Sequence, residues 1–260
     1  MPYDLIATAD YLPSKNVFLV DVDMSAYLLE YYIQRKDYAG IVSSLQDEQL
    51  KDLICCFAIH LAGRTAFETH AWTLNIVSEH PYSLFVTGSS GEMDENGLVK
   101  STIVGNVLTE NIRHSDTNGF HAQCTRRGST FNSYVPCDTS SIAGMVEHFY
   151  RKSEQLPIRI ALSANSDTGA GIIALPGFDR DWFESADIAQ LLRYNETKTR
   201  MRTCKFEFKC DCSPEKLLPF FRALSQKELQ EIYGDDKELL ITCPRCGKRF
   251  VIGRELVAPI

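Results

Sequence analysis

Hydrophobic positions along this chain change period several times, and each change marks an element. Asn16-Val17-Phe18-Leu19-Val20-Asp21-Val22 predicts a first strand over 16–22. Residues 25–37 switch to helical spacing, with Leu28, Leu29, Tyr32 and Ile33 on one stripe. A second helix is expected over 47–64, where Leu50, Leu53, Ile54, Phe57, Ala58 and Leu61 recur at helical intervals. From Thr69 the period becomes two: Trp72, Leu74 and Ile76 alternate with Thr73 and Asn75, as in a half-buried strand. Further strands are predicted over 83–87, 103–109, 120–125 and 130–135, the last two joined by a hairpin turn at Arg126-Arg127-Gly128-Ser129. Gly88-Ser89-Ser90-Gly91 lacks the Lys and the helix of a phosphate loop and reads as a turn.

Asp138 or Thr139 is expected to cap a helix that buries Ile142, Met145, Val146, Phe149 and Tyr150 and ends in Arg151-Lys152. Strands over 158–162 and 170–175 follow, and Pro176-Gly177 closes the lobe. Polarity then takes over. Ile188, Leu191 and Leu192 offer one short amphipathic turn, and residues 193–209 carry six Lys/Arg against two Asp/Glu, which reads as a solvated connector. Beyond it, Ser213-Pro214 signals a helix start, with Pro219 placed to shorten or kink that helix. Ser225-Gln226-Lys227-Glu228 is a capping box for a second helix ending at Gly234. The expected class is α+β: an α/β core with an antiparallel-rich sheet over 1–176, a linker over 177–209, and a small zinc-ribbon-like domain over 210–260.

Composition narrows the function classes. Of 260 residues, 44% are hydrophobic and 23% charged, ordinary for a globular protein. The net charge of −7 sits mainly in 1–176, which hold 12 Lys/Arg against 20 Asp/Glu. That is not the basic footprint of a nucleic-acid binder. No run approaches the roughly 18–20 apolar residues of a membrane span. Met1-Pro2-Tyr3-Asp4 has neither the basic start nor the apolar stretch of a signal peptide, so a reducing, cytoplasmic compartment is expected.

The chemistry concentrates in cysteine. Cys210-Asp211-Cys212 and Cys243-Pro244-Arg245-Cys246 form a C-x-C and a C-x-x-C separated by a spacer. Two close thiolate pairs suit one tetrahedral Zn²⁺ per chain, and the second pair, between Leu239-Leu240-Ile241 and Phe250-Val251-Ile252, fits a zinc-ribbon knuckle. A thiolate site whose ligands oxidise loses its metal, so the spacing also suggests a redox switch. The plainer reading is a purely structural zinc site. Cys55, Cys56, Cys124 and Cys137 read as small core residues. The six histidines show no paired ligand spacing, and no nucleophile elbow or Walker loop appears.

Three stretches together resemble the heat shock protein 33 family of redox-regulated holdase chaperones. They are 146–157 with its Ser153-Glu154-Gln155-Leu156-Pro157, Gly169-Ala170-Gly171-Ile172-Ile173, and Phe206-Glu207-Phe208-Lys209-Cys210-Asp211-Cys212-Ser213 with Cys243-Pro244-Arg245-Cys246-Gly247. The resemblance implies a non-enzymatic protein. Its oxidised form pairs Cys210 with Cys212 and Cys243 with Cys246, releases zinc, unfolds its linker and captures unfolding clients without ATP. A homodimer in the oxidised state belongs to the same expectation. The chain departs from the pattern in a shorter linker, in the extra thiol Cys204, and in Pro219. Two rivals differ in class: a constitutive zinc-ribbon protein that binds a protein or RNA through 193–209, and an enzyme using Cys55, Cys56, Cys124 or Cys137 as a low-pKa nucleophile.

Overall fold

A helix with almost no polar face organises the fold. Every residue from Leu53 to Ala62 is buried, and a helix that is apolar all round must be enclosed on all sides. The architecture comes from a computed structural model, which describes residues 7–35, 42–64, 67–110, 112, 115–188 and 197–257. In chain order the elements are β1 (Ala7–Leu12), β2 (Val17–Asp23), α1 (Ser25–Arg35), α2 (Ser44–Ala62), β3 (Glu68–Ile76), β4 (Tyr82–Met93), β5 (Leu98–Leu108), β6 (Asn118–Arg126) and β7 (Ser129–Cys137). After them come α3 (Ile142–Phe149), β8 (Ile158–Leu162), β9 (Thr168–Ala174), α4 (Arg180–Ser185), β10 (Thr199–Phe208), α5 (Pro214–Arg222), α6 (Gln226–Tyr233), β11 (Glu238–Thr242) and β12 (Arg249–Gly253). The class is α+β, as expected.

Ten strands form one sheet in the order β7-β6-β3-β4-β5-β10-β1-β2-β9-β8, and only the β10–β5 pairing is parallel. Helix α2 lies against the middle of this sheet and α3 packs on α2. The approach is close: a Cβ on Gly171 would stand 2.7 Å from Ile59 Cγ2, so β9 needs glycine where α2 passes. The core follows from this layering, with Phe57 meeting Trp72 edge-on at 4.9 Å and Phe120 stacking on Phe149 at 4.4 Å.

The structure corrects several expectations. Residues 199–208, read as part of a solvated connector, are strand β10 near the sheet centre, and Cys204, Phe206 and Phe208 bury their side chains. Leu191, Leu192 and Arg193 lie outside the described residues, while Ile188 is buried against β2 and β9 residues. Strand β1 had no counterpart in the sequence reading. Gly88-Ser89-Ser90-Gly91 is part of β4 rather than a turn; a Cβ on Gly88 would come within 2.3 Å of Thr102 O, so glycine serves close strand pairing there. Helix α2 starts three residues before 47, through a capping box between Ser43 and Gln46. Helix α3 is capped by Ser141, not Asp138 or Thr139. Pro219 does not end α5, which runs nine residues. The hairpin turn after β6 is as expected, with Arg127 and Gly128 both at positive φ.

Candidate metal centre

Two turns bring four sulfurs together. Strand β10 ends at Phe208, and Cys210 follows two residues later, so the C-x-C pair hangs from the end of a central strand. The C-x-x-C pair sits in the turn between β11 and β12, which pair antiparallel from Glu238↔Gly253 to Thr242↔Arg249. Within that turn Gly247 N–H donates to Cys243 O and Cys243 N–H donates to Lys248 O, both at 2.8 Å. Gly247 adopts φ 80°, and a Cβ there would meet Asn106 Oδ1 at 2.9 Å. Helices α5 and α6 fold the spacer back, α6 held at its start by the Ser225–Glu228 capping box.

The four Sγ atoms of Cys210, Cys212, Cys243 and Cys246 all lie within 4.8 Å of one another, an arrangement able to hold a metal ion. Cys212 Sγ is 3.5 Å from Cys246 Sγ, and Cys210 Sγ is 4.0 Å from Cys243 Sγ. Hydrogen bonds from the Cys210 and Cys246 thiols, with backbone N–H groups of Cys246 and Arg245, hold Cys243 well below the ordinary thiol range. Burial pushes Cys212 up to about 12. Cys243 and Cys246 are buried while Cys210 and Cys212 are half-buried, so the C-x-C pair is the side open to solvent.

The centre is docked on the sheet. Cys243, Cys246 and Phe250 belong to the same buried cluster as Leu50, Ile54 and Val104, and Asn106 Nδ2 on β5 donates to Pro244 O at 3.4 Å. Sequence reasoning missed Asn106. The available signal was an amide amid Ile103-Val104-Gly105-Asn106-Val107-Leu108, where a lone polar side chain needs a partner.

Histidines without paired spacing also meet in space. His60 Nε2 is 3.1 Å from His70 Nδ1, His60 Nδ1 is 2.6 Å from Tyr150 Oη, and His70 Nε2 is 3.1 Å from Glu68 Oε2. Burial pushes both imidazoles down, that of His60 far below its usual value. The remaining thiols are raised, as Cys212 is, and none is lowered as Cys243 is. Burial raises Cys55, Cys56 and Cys124, and carries Cys137 and Cys204 to about 11. None of Cys55, Cys56, Cys124 and Cys137 is the low-pKa thiol that a nucleophile requires. Cys204 sits 1% exposed inside β10.

Comparison with known proteins agrees with this layout. A family model described as Hsp33 protein matches residues 26–253. The chain belongs to the heat shock protein 33 family. A relative named 33 kDa chaperonin from Clostridium botulinum (strain Loch Maree / Type A3) is 27% identical over 66% of this chain and 63% of its own length. Another of that name, from Thermotoga sp. (strain RQ2), is 25% identical over 72% of this chain and 76% of its own. The chain thus spans somewhat under two thirds of the clostridial relative. The crystal structure of the 33 kDa chaperonin (heat shock protein 33 homolog) of Thermotoga maritima superposes with a TM-score of 0.70, covering 98% of this chain and 96% of that one at 16% identity. The relatives are thus named as chaperones, and at 16% identity the structural likeness speaks for the fold. No helix of the described residues is long and apolar enough to cross a membrane.

Proposed function

We propose that this member of the heat shock protein 33 family is a redox-regulated, ATP-independent holdase of the cytoplasm, switched by a zinc centre at Cys210, Cys212, Cys243 and Cys246. The carrying observation is the sulfur geometry. Tetrahedral sulfurs about 2.3 Å from Zn²⁺ have edges of about 3.8 Å, and the 3.5 and 4.0 Å separations bracket that value. Bound zinc would supply a crosslink that keeps the four sulfurs as thiolates and closes a lobe too small to hold itself together.

The chain's own groups then make the switch. The half-buried Cys210 and Cys212 meet hydrogen peroxide first. Two thiolates give up two electrons, an S–S bond forms, the O–O bond breaks, and two hydroxide ions leave. The lone pairs that held the metal are gone. In the reduced geometry the close sulfur approaches run across the two turns, Cys212 to Cys246 and Cys210 to Cys243. The family's pairing of Cys210 with Cys212 and Cys243 with Cys246 joins sulfurs within each turn, so oxidation leaves no bond between the two turns and frees them to separate. Residues 210–260 act as the switch, β10 within 177–209 carries it into the sheet, and 1–176 together with β10 are the client-binding core, with a homodimer as the oxidised form.

The test is an aggregation assay with a thermally unfolding client. Peroxide-treated protein is expected to suppress light scattering at stoichiometric amounts, and reduced zinc-loaded protein is not. Equal suppression by both forms would replace the switch with a constitutive binder.

A further inference from the structure

One cluster of unlike ligand groups stands apart from the four-thiolate centre. Glu68 and His70 are two residues apart on β3 and share its buried face with Trp72, Leu74 and Ile76. On β6, Cys124 lies directly opposite His70 and Arg126 directly opposite Glu68. His70 Nε2 is 3.1 Å from Glu68 Oε2 and 3.9 Å from Cys124 Sγ, and the three donor atoms lie within 4.8 Å of one another. We propose that Glu68, His70 and Cys124 form a second metal site, taking a borderline divalent ion such as Zn²⁺ through one oxygen, one nitrogen and one sulfur, with the fourth position left to water.

The spacing suits such an ion. With bonds of about 2.0 Å to nitrogen and oxygen and about 2.3 Å to sulfur, tetrahedral geometry sets N···O near ~3.3 Å and N···S near ~3.5 Å. The observed 3.1 and 3.9 Å need shifts of a few tenths of an ångström. A mixed set of oxygen, imidazole and one thiolate selects zinc-like ions over magnesium or calcium.

The surroundings are built as a ligand's second layer. His60 backs His70 through Nδ1, and Tyr150 backs His60. With the metal absent, the chain runs Tyr150 O–H to His60 Nδ1, His60 Nε2–H to His70 Nδ1, and His70 Nε2–H to Glu68. With an ion on His70 Nε2, both rings take the other tautomer: His70 Nδ1–H donates to His60 Nε2, and His60 Nδ1–H donates to Tyr150 Oη. Such a partner orients a ligating imidazole and raises its basicity. Arg126 Nη1 stands 3.6 Å from Glu68 Oε1, the oxygen the ion does not need, and Arg64 is paired with Glu154 at 2.6 Å. The half-buried Cys124 and the exposed Arg126 mark the entry path. Binding replaces the Cys124 thiol proton by the metal, and that proton goes to solvent. A hydrogen-bonded relay alone would need no thiol beside it.

The test uses the reduced full-length chain, stripped of metal and titrated with Co²⁺ while absorbance follows ligand-field and thiolate charge-transfer bands. The unaltered chain is expected to take up about two equivalents, and Cys124→Ser and Glu68→Gln about one. Cys124→Ser changes a half-buried side chain by one atom, and Glu68→Gln keeps the shape, so neither relies on the other to stay folded. In excess Zn²⁺ the unaltered chain should also gain melting temperature that Cys124→Ser does not. Saturation at one equivalent by the four-thiolate centre alone, or two equivalents retained by both variants, overturns the second site. Were the four-thiolate centre to bind nothing, the unaltered chain would take one equivalent and Cys124→Ser none, so the two sites fail separately.

Discussion

Helix α2 and helix α5 show two ways of holding a chain together. Helix α2 is buried without a break from Leu53 to Ala62 and sits between the sheet and α3. Helix α5 has no fully buried side chain, and its lobe keeps only a small cluster of its own: Leu229, Tyr233, Ile252 and Val257. Apolar burial of roughly 25 cal/mol per Å² suffices for the first region. The second, a segment of about fifty residues, falls in the size range where a core alone is marginal, and in the proposed reading a metal would supply the difference. A reagent that attacks thiolates therefore reaches the stability of one region and not the other.

The strongest way to break that contrast is to remove a ligand. Cys243→Ser leaves three thiolates and an open position, against an apparent structural-zinc binding energy of roughly 10–16 kcal/mol. Tight zinc retention is expected to disappear, and hydrogen exchange across 210–257 to become fast. Protection of α2 should stay unchanged. Full zinc occupancy in the variant would remove Cys243 from the ligand set.

The reverse experiment is Phe57→Ala. Phe57 is fully buried between Trp72 and the His60 ring. Its truncation is expected to cost about 3–5 kcal/mol and lower the core melting temperature by roughly 10 °C or more. Zinc retention at room temperature should not change. Loss of zinc in this variant would show that the two regions are one cooperative unit.

The middle ground is β10, and it shows where the sequence could and could not be read. The four-cysteine cluster was legible because its members come in close pairs, which spacing alone reveals. Strand β10 was not, although Cys204, Phe206 and Phe208 do alternate with Thr203, Lys205 and Glu207. The charges at Arg200 and Arg202 masked that period. The counterweight to Arg200 is remote: it forms an ion pair with Asp10 on β1, and Lys198 lies 3.8 Å from the same carboxylate. Attraction to the acidic core was foreseeable from charge. Insertion as a strand between β5 and β1 depends on partners about a hundred and two hundred residues away. The Glu68–His70 pairing with His60 was hidden for the same reason, although Glu68 and His70 share the period of Trp72. Gly171 stood in a recognisable motif, but its reason is the passage of Ile59.

Because β10 leads directly into Cys210, it should report the switch. Arg200 and Arg202 are paired with β1 and Lys205 with β5 in the reduced protein, and they should resist trypsin. Oxidised, metal-free protein is expected to be cut there about tenfold faster, a change of about 1.4 kcal/mol in local opening, while α2 survives. Equal cleavage would confine the switch to the C-terminal lobe.

The smallest expected effect tests the contact that joins the two regions. Asn106 is 5% exposed on β5 and donates to Pro244 O across the junction. Asn106→Ala removes one neutral hydrogen bond, about 0.5–1.5 kcal/mol, and leaves the Pro244 carbonyl to find water. The cavity lies at the edge of the thiolate turn, beside Gly247, so the loss should favour undocking of the lobe rather than melting of the core. Undocking exposes the buried Cys243 and Cys246 to oxidant. A shift of about 1 kcal/mol corresponds to roughly fivefold more open lobe, and zinc release under peroxide should accelerate by the same factor. The core melting temperature should move by only a few degrees. A chromogenic zinc chelator follows the release rate, and calorimetry follows the core. If both rates and melting stay at the unaltered values, the carbonyl is already served by water and Asn106 does not hold the lobe. If melting falls without faster release, Asn106 belongs to the sheet's own packing.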